Sequence, residues 1–127
     1  MAFIDYEAMA ITATSSGTIA TTSTKVFRGF LHAIEYDPST ASTILPSTDS
    51  SMAITLDVTG RTVLSLEDMS TVHTGLYFPR VATVTTTGAA STGAEAIPIH
   101  DERVVVTMTS GSTQALTATA IVRIYVS

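Results

Sequence analysis

The stretch that decides the fold is residues 51–66, SMAITLDVTGRTVLSL. Apolar side chains occupy every second position from Met52 to Val58, and the pattern resumes after Gly60. Successive side chains of a strand point to opposite faces of a sheet, so this repeat of two predicts strands with one buried face. The glycine between them favours a turn. The stretch therefore predicts a β-hairpin that closes around residues 59–61.

A second segment with this repeat covers residues 27–36. One face of the predicted strand carries Phe30, His32, Ile34 and Tyr36. The turn-forming residues DPST follow at positions 37–40, where they predict the end of the strand. We therefore interpret His32 as a histidine of the core or of an interface rather than as a catalytic base.

The C-terminal part of the chain alternates in the same way. Residues 104–109 and 116–126 are separated by the turn-forming sequence SGS, which predicts a second hairpin. Weaker alternation predicts further strands at about 9–14, 18–25, 75–87 and 95–100, with loops at 37–50 and 87–94.

About eight strands at this spacing predict an all-β fold. We expect a two-sheet antiparallel sandwich of the jelly-roll type, with a closed barrel as the alternative. The chain of 127 residues has the size of one domain, and it contains no internal repeat or linker. We therefore assign residues 1–127 to a single domain, with residues 1–8 as an N-terminal arm.

The composition is low in charge. Charged residues make up 13% of the chain and hydrophobic residues 45%, so hydroxyl groups and small side chains must cover much of the surface. Such a surface is easier to understand when neighbouring proteins cover it. The net charge of −5, with six lysines and arginines, leaves no basic stripe for nucleic acid. Cysteine is absent and no apolar run approaches the ~20 residues of a membrane span, so we expect no disulfide, no cysteine-based zinc site and no membrane partner.

The sequence contains no pattern that marks an active site. The densest group of metal-ligand types is His100, Asp101 and Glu102, but neighbours on a strand point to opposite faces and cannot converge on one ion. We interpret this group as a solvated turn before the next strand. The serine motif G-x-S-x-G is absent, and the seven glycines occur singly rather than in a phosphate-binding loop. We therefore expect no enzyme activity and no catalytic, cofactor-binding or metal-binding residue.

The most distinctive segment is GLYFPR at residues 75–80. Tyr77 and Phe78 are adjacent, so on a strand one ring faces the core and the other faces outward. Pro79 cannot donate a ladder hydrogen bond, which places this strand at a sheet edge or interrupts it. Aromatic residues and arginine are enriched at the centres of interfaces. The candidate interface residues are Tyr77, Phe78 and Arg80, together with Phe3, Ile4 and Tyr6 of the N-terminal arm.

A set of short blocks follows a recognisable order along residues 27–126. These blocks are Ile34-Glu35-Tyr36, Ile54-Thr55-Leu56, Thr59-Gly60-Arg61-Thr62, Tyr77-Phe78-Pro79-Arg80 and the C-terminal strands rich in valine and threonine. In this order they resemble small structural proteins of tailed phages, in particular the head decoration (cement) proteins of jelly-roll type. At Leu76, those proteins tend to carry tryptophan or another aromatic residue.

The resemblance implies a virion protein that binds the outside of the major capsid protein shell and stabilises it by added contact area. Such a protein is made in the host cytoplasm, acts on the capsid exterior and needs no cofactor. The low-charge strands favour self-association, with a dimer expected before a trimer. Two alternatives stay open, because fold alone does not fix function: a tail, connector or fibre component of a virion, and a carbohydrate-binding or adhesion sandwich.

Overall fold

The computed structural model describes residues 4–13, 17–37, 49–67, 69, 75–84, 90–111 and 118–127. Every regular element in this part of the chain is a β-strand, which confirms the all-β prediction. The strands in chain order are β1 (Asp5–Ala13), β2 (Thr18–Thr22), β3 (Phe27–Asp37), β4 (Ser51–Leu56), β5 (Thr62–Glu67), β6 (Gly75–Tyr77), β7 (Arg80–Val84), β8 (Ala90–Ala96), β9 (Pro98–Glu102), β10 (Val104–Thr109) and β11 (Ala118–Val126).

The strands form two main antiparallel sheets with a shared core. One sheet has the order β1-β11-β3-β6, with β9 also paired to β3, and the other has the order β2-β10-β4-β5. Leaving β9 aside, every connection between successive strands of these two sheets crosses from one sheet to the other, except the β4–β5 connection. This connectivity is that of a jelly roll, so the predicted sandwich is confirmed and the closed-barrel alternative is wrong.

The core lies between the inner faces of the two sheets. Its largest fully buried side chains include Ile11 of β1, Phe27, Leu31, Ile34 and Tyr36 of β3, Met52, Ile54 and Leu56 of β4, Met108 of β10 and Ile124 of β11. Burying each such apolar side chain contributes about 1.5–3 kcal/mol of hydrophobic free energy. The buried Tyr36 hydroxyl donates a hydrogen bond of 2.6 Å to the Met69 carbonyl, and burial raises the pKa of this phenol.

The hairpin predicted from residues 51–66 is present as β4 and β5, which pair in antiparallel register. Gly60 adopts a φ of 72°, in the left-handed region, and its N–H donates to the Leu56 carbonyl at 2.9 Å. Val58, which the alternation places on the strand, lies in the turn instead and is 75% exposed. The strand therefore ends two residues earlier than the apolar pattern.

The second predicted hairpin is wrong. β10 pairs with β2 and β4, whereas β11 pairs with β1 and β3 in the other sheet. Both strands alternate because each has one face on the shared core. A repeat of two therefore does not reveal whether successive strands pair side by side or face each other across that core.

The predicted N-terminal arm is corrected from Asp5 onward. β1 pairs with β11 over its whole length. The Glu7 carboxylate accepts backbone N–H groups of Thr24 and Lys25 at 2.9 and 2.8 Å, and Lys25 Nζ lies 2.7 Å from Asp5 Oδ1. Residues 5–8 thus belong to the sandwich.

Between β6 and β10 the chain adds three strands to the jelly roll. β6 pairs with residues 34–36 of β3 and β9 pairs with residues 27–30, so both lie along β3 one after the other. β7 and β8 form a two-stranded sheet of their own, which we call the β7–β8 hairpin. Pro79 lies in the break between β6 and β7, as predicted. The loop predicted at residues 87–94 is wrong from Ala90 onward, where β8 begins.

Candidate functional site

A β-bulge in β3 shapes the outer face of the five-stranded sheet. Tyr125 of β11 lies opposite Ala33, and the next residue of β11 lies opposite Leu31, so His32 is an extra residue in the pairing. Leu31 is buried in the core, whereas His32 and Phe30 are exposed. The core interpretation of His32 is therefore wrong, because one extra residue changes which positions the alternation buries.

The bulge lies at the base of a groove of about 320 Å³. Ala33 is only 3% exposed although it is not part of the core cluster between the sheets, so its small side chain forms the floor. The walls are formed by Ile4, His32, Glu35, Leu76, Phe78 and Tyr125. We call these seven residues the outer groove.

The outer groove is rich in exposed apolar surface. Its most exposed apolar walls are Ile4, Leu76 and Phe78, each more than half exposed. Tyr6, which is 42% exposed, extends this surface because its ring packs at a 35° tilt against Tyr125, with ring centroids 5.3 Å apart. His32 and Phe78 meet edge to face, with centroids 6.2 Å apart. Exposed apolar side chains gathered in one place mark binding surfaces, whereas scattered ones do not.

An ion-pair network borders the groove. Arg123 Nη1 lies 3.0 Å from Glu35 Oε1 and 3.6 Å from Asp37 Oδ2, across the neighbouring strands β11 and β3. The Tyr125 hydroxyl lies 3.5 Å from the same Glu35 oxygen. Partial burial raises the pKa of Tyr125, and the negative charge of Glu35 raises it further. The network thus holds one carboxylate in the groove wall.

Three of the predicted interface residues lie in or beside the outer groove. Ile4 and Phe78 line it, and Tyr6 extends it through Tyr125. Phe3 lies outside the described residues.

The two remaining candidates have structural contacts. Tyr77 packs against the core, so the two adjacent rings of β6 and its end face opposite ways, as predicted. Arg80 begins the β7–β8 hairpin, and its Nη1 lies 2.7 Å from the Pro79 carbonyl oxygen and 3.4 Å from the His32 carbonyl oxygen. This arginine therefore links the start of the β7–β8 hairpin to β3 by a hydrogen bond.

Four groove residues were not among the candidates predicted from the sequence: Ala33, Glu35, Leu76 and Tyr125. Each occupies an outward position of a strand whose alternation was correctly recognised in part. Outward positions could be read from that alternation, but their meeting point depends on the pairing of β11, β3 and β6.

The expected solvated turn at residues 100–102 is wrong. These residues end β9, where Asp101 adopts a φ of 54° at a bulge. Arg28 donates two hydrogen bonds to the Asp101 carboxylate, at 3.0 and 2.7 Å, and these lower the pKa of that carboxyl. Glu102 is buried and contacts the β4–β5 turn instead.

Within the described ranges, no three histidine, aspartate or glutamate side chains are placed to share a metal ion, and no helix is long and apolar enough to cross a membrane. No protein-family model, curated protein or solved structure matches the chain. The outer groove has the form of a docking surface: it is open, mainly apolar and carries one carboxylate in its wall.

Proposed function

We propose that this protein is a head decoration (cement) protein that binds the outside of the major capsid shell of a tailed phage and stabilises it. The observation that carries the proposal is the outer groove, where exposed apolar side chains in and beside β1 and β6 meet Tyr125 of β11 and the bulge of β3 on one face. Docking a partner there removes apolar surface from water, which contributes about 25 cal/mol for each Å² buried. Repetition over a symmetric shell makes a modest contact collectively strong.

The β7–β8 hairpin also supports a role in assembly. β7 and β8 pair with each other rather than with the two main sheets, a two-stranded sheet is marginally stable in water on its own, and residues 81–94 contain no charged residue. A neighbouring protein that packs on this hairpin would stabilise it. Because β7 begins two residues after Phe78, and Arg80 Nη1 lies 3.4 Å from the His32 carbonyl oxygen, the hairpin starts beside the outer groove. The same surface is available for self-association, for which a dimer remains our first expectation.

The jelly-roll fold is compatible with this function but does not select it. Viral capsid domains and lectin domains both use jelly rolls, so the carbohydrate-binding alternative shares the fold. The groove favours a protein partner, since its walls combine exposed aliphatic side chains with aromatic ones.

The test is co-sedimentation of the purified protein with empty shells assembled from the major capsid protein of the same phage. We expect saturable binding and a higher melting temperature of the decorated shells. The substitution Phe78→Ser should weaken binding about tenfold, because it removes an aromatic anchor from the centre of the surface. The matched control is Val58→Ser, which removes an even more exposed apolar side chain, from the β4–β5 turn, and should change binding by less than about twofold.

Each other result rejects part of the proposal. Failure of the wild-type protein to bind shells refutes the decoration function, and binding to purified tails instead would establish the tail alternative. Binding that survives Phe78→Ser but is lost in Val58→Ser would place the contact on another face of the domain.

A further inference from the structure

The carboxylate in the outer groove has an oxygen that faces no donor of the described residues. Glu35 Oε1 accepts a hydrogen bond from Arg123 and lies near the Tyr125 hydroxyl, whereas Oε2 accepts none within that part of the chain. The Glu35 side chain is 32% exposed. An ionised carboxylate can accept about four hydrogen bonds, so Glu35 can accept more from a partner.

The charge of the surroundings favours a cationic partner. Glu35 and Asp37 share the guanidinium of Arg123, so these three groups together carry a net charge of −1, and Arg80 donates to the carbonyl oxygens of Pro79 and His32. The chain as a whole carries a net charge of −5. Aromatic ring faces attract cations as well, and Phe78 and Tyr125 stand on the walls around the carboxylate.

The groove has room for a single long side chain. Its volume of about 320 Å³ is at the lower end of the range for small-molecule pockets, roughly 300–1,000 Å³. Arginine combines an apolar stem, which can lie on Ile4 and Leu76, with a planar cation that stacks on aromatic rings and binds carboxylates.

We infer that the outer groove receives an arginine side chain of the partner protein, with the guanidinium on Glu35 Oε2 and between the rings of Phe78 and Tyr125. The identity of that partner as the major capsid protein rests on the proposed function, but the chemistry of the groove does not. Arginine is the expected side chain because its guanidinium can donate a charge-assisted hydrogen bond to the second carboxylate oxygen and stack on an aromatic ring at the same time.

The first experiment is an NMR titration of the wild-type protein with N-acetyl-arginine amide, and in parallel with N-acetyl-citrulline amide, its uncharged isostere. We expect arginine to shift the resonances of Ile4, Leu76, Phe78 and Tyr125 at millimolar concentration, and citrulline to shift them much less. Equal shifts with the two compounds, or shifts confined to other surfaces, would overturn the inference without recourse to any variant.

Two variants test whether the Glu35 carboxylate binds the arginine. Glu35→Gln should weaken arginine binding about fivefold, because a charge-assisted hydrogen bond becomes a neutral one. Asp37→Asn is the matched control, since Asp37 also approaches Arg123 but does not line the groove, and it should change binding by less than about twofold. Unchanged binding in Glu35→Gln, at an unaltered melting temperature, would contradict the assignment.

Shell binding separates this inference from the proposed function. Shells that bind wild type and Glu35→Gln equally well would refute the arginine contact and leave the decoration function standing. A wild-type protein that binds arginine in its groove but does not bind shells would refute the decoration function and leave the groove chemistry standing.

Discussion

Replacing Glu102 by alanine should destabilise the fold, because this side chain links the β4–β5 turn of the four-stranded sheet to the end of β9 in the five-stranded sheet. Glu102 is 4% exposed, and its Oε1 accepts backbone N–H groups of Val58 at 2.9 Å and Thr59 at 2.7 Å. A hydrogen bond to a charged group contributes about 1.5–3 kcal/mol. Because Val58 and Thr59 are themselves exposed, water can replace part of the loss, and we expect a decrease of about 3 kcal/mol in the free energy of unfolding.

The assay is urea unfolding at neutral pH, compared among wild type, Glu102→Ala and Glu102→Gln. With an m-value of about 1.5 kcal/mol per M, the alanine variant should unfold at a midpoint about 2 M lower. Glutamine keeps a neutral acceptor and should cost only about 1 kcal/mol. The control is Glu67→Ala, an exposed carboxylate at the end of β5, which should change stability by less than about 0.5 kcal/mol. A loss below about 1 kcal/mol in Glu102→Ala would contradict this prediction, because it would mean that the turn does not depend on the Glu102 carboxylate.

Three further outcomes follow from individual residues. Gly29→Ala should lower the free energy of unfolding by about 3 kcal/mol in a thermal unfolding experiment, because Gly29 has a φ of 130° and an added Cβ would overlap the Ser127 carbonyl. Gly60→Ala should lower it by only about 1–2 kcal/mol, because there is open space around Gly60. Equal losses in the two variants would contradict this difference. Asp101→Asn should be tolerated better than Asp101→Ala, because asparagine accepts the left-handed φ of 54° more readily, and the reverse order in melting temperature would count against it. The hydrogen bonds from Arg28 hold the pKa of Asp101 below 3.8, so the ionised carboxylate stabilises the folded state above that pH, and this stabilisation is lost as the pH falls through the lowered pKa. Asp101→Asn should therefore lose stability less steeply than wild type below about pH 4. Parallel curves of unfolding free energy against pH for the two proteins would exclude a contribution from Asp101.

Strands were predictable where the alternation within a single segment of sequence is sufficient to identify them. Alternation in residues 51–66 gives β4 and β5, because burial on one face constrains every second residue. The error at the C-terminus has a different origin: β10 and β11 show the same alternation whether they pair or face each other, so partner choice depends on contacts distant in sequence.

The candidate site was predictable only in part. The sequence predicted that one of the adjacent rings of Tyr77 and Phe78 faces outward, but not which one, and the structure shows that it is Phe78. The meeting of Glu35 with Arg123 depends on the register of β3 and β11, and the exposure of His32 depends on a bulge. An extra residue in a strand has no signature in apolar alternation until its partner strand is known.

The placement of β6 and β9 along the same strand has a consequence for how the chain can vary. Both ends of the β7–β8 hairpin emerge from segments already hydrogen-bonded to β3, so the sandwich fixes where the hairpin leaves and where it returns. Lengthening, shortening or replacing the residues between Val84 and Ala90 would then leave the core strands in register. A sequence change confined to that interval should accordingly alter the stability of the sandwich less than a change in β6 or β9 would.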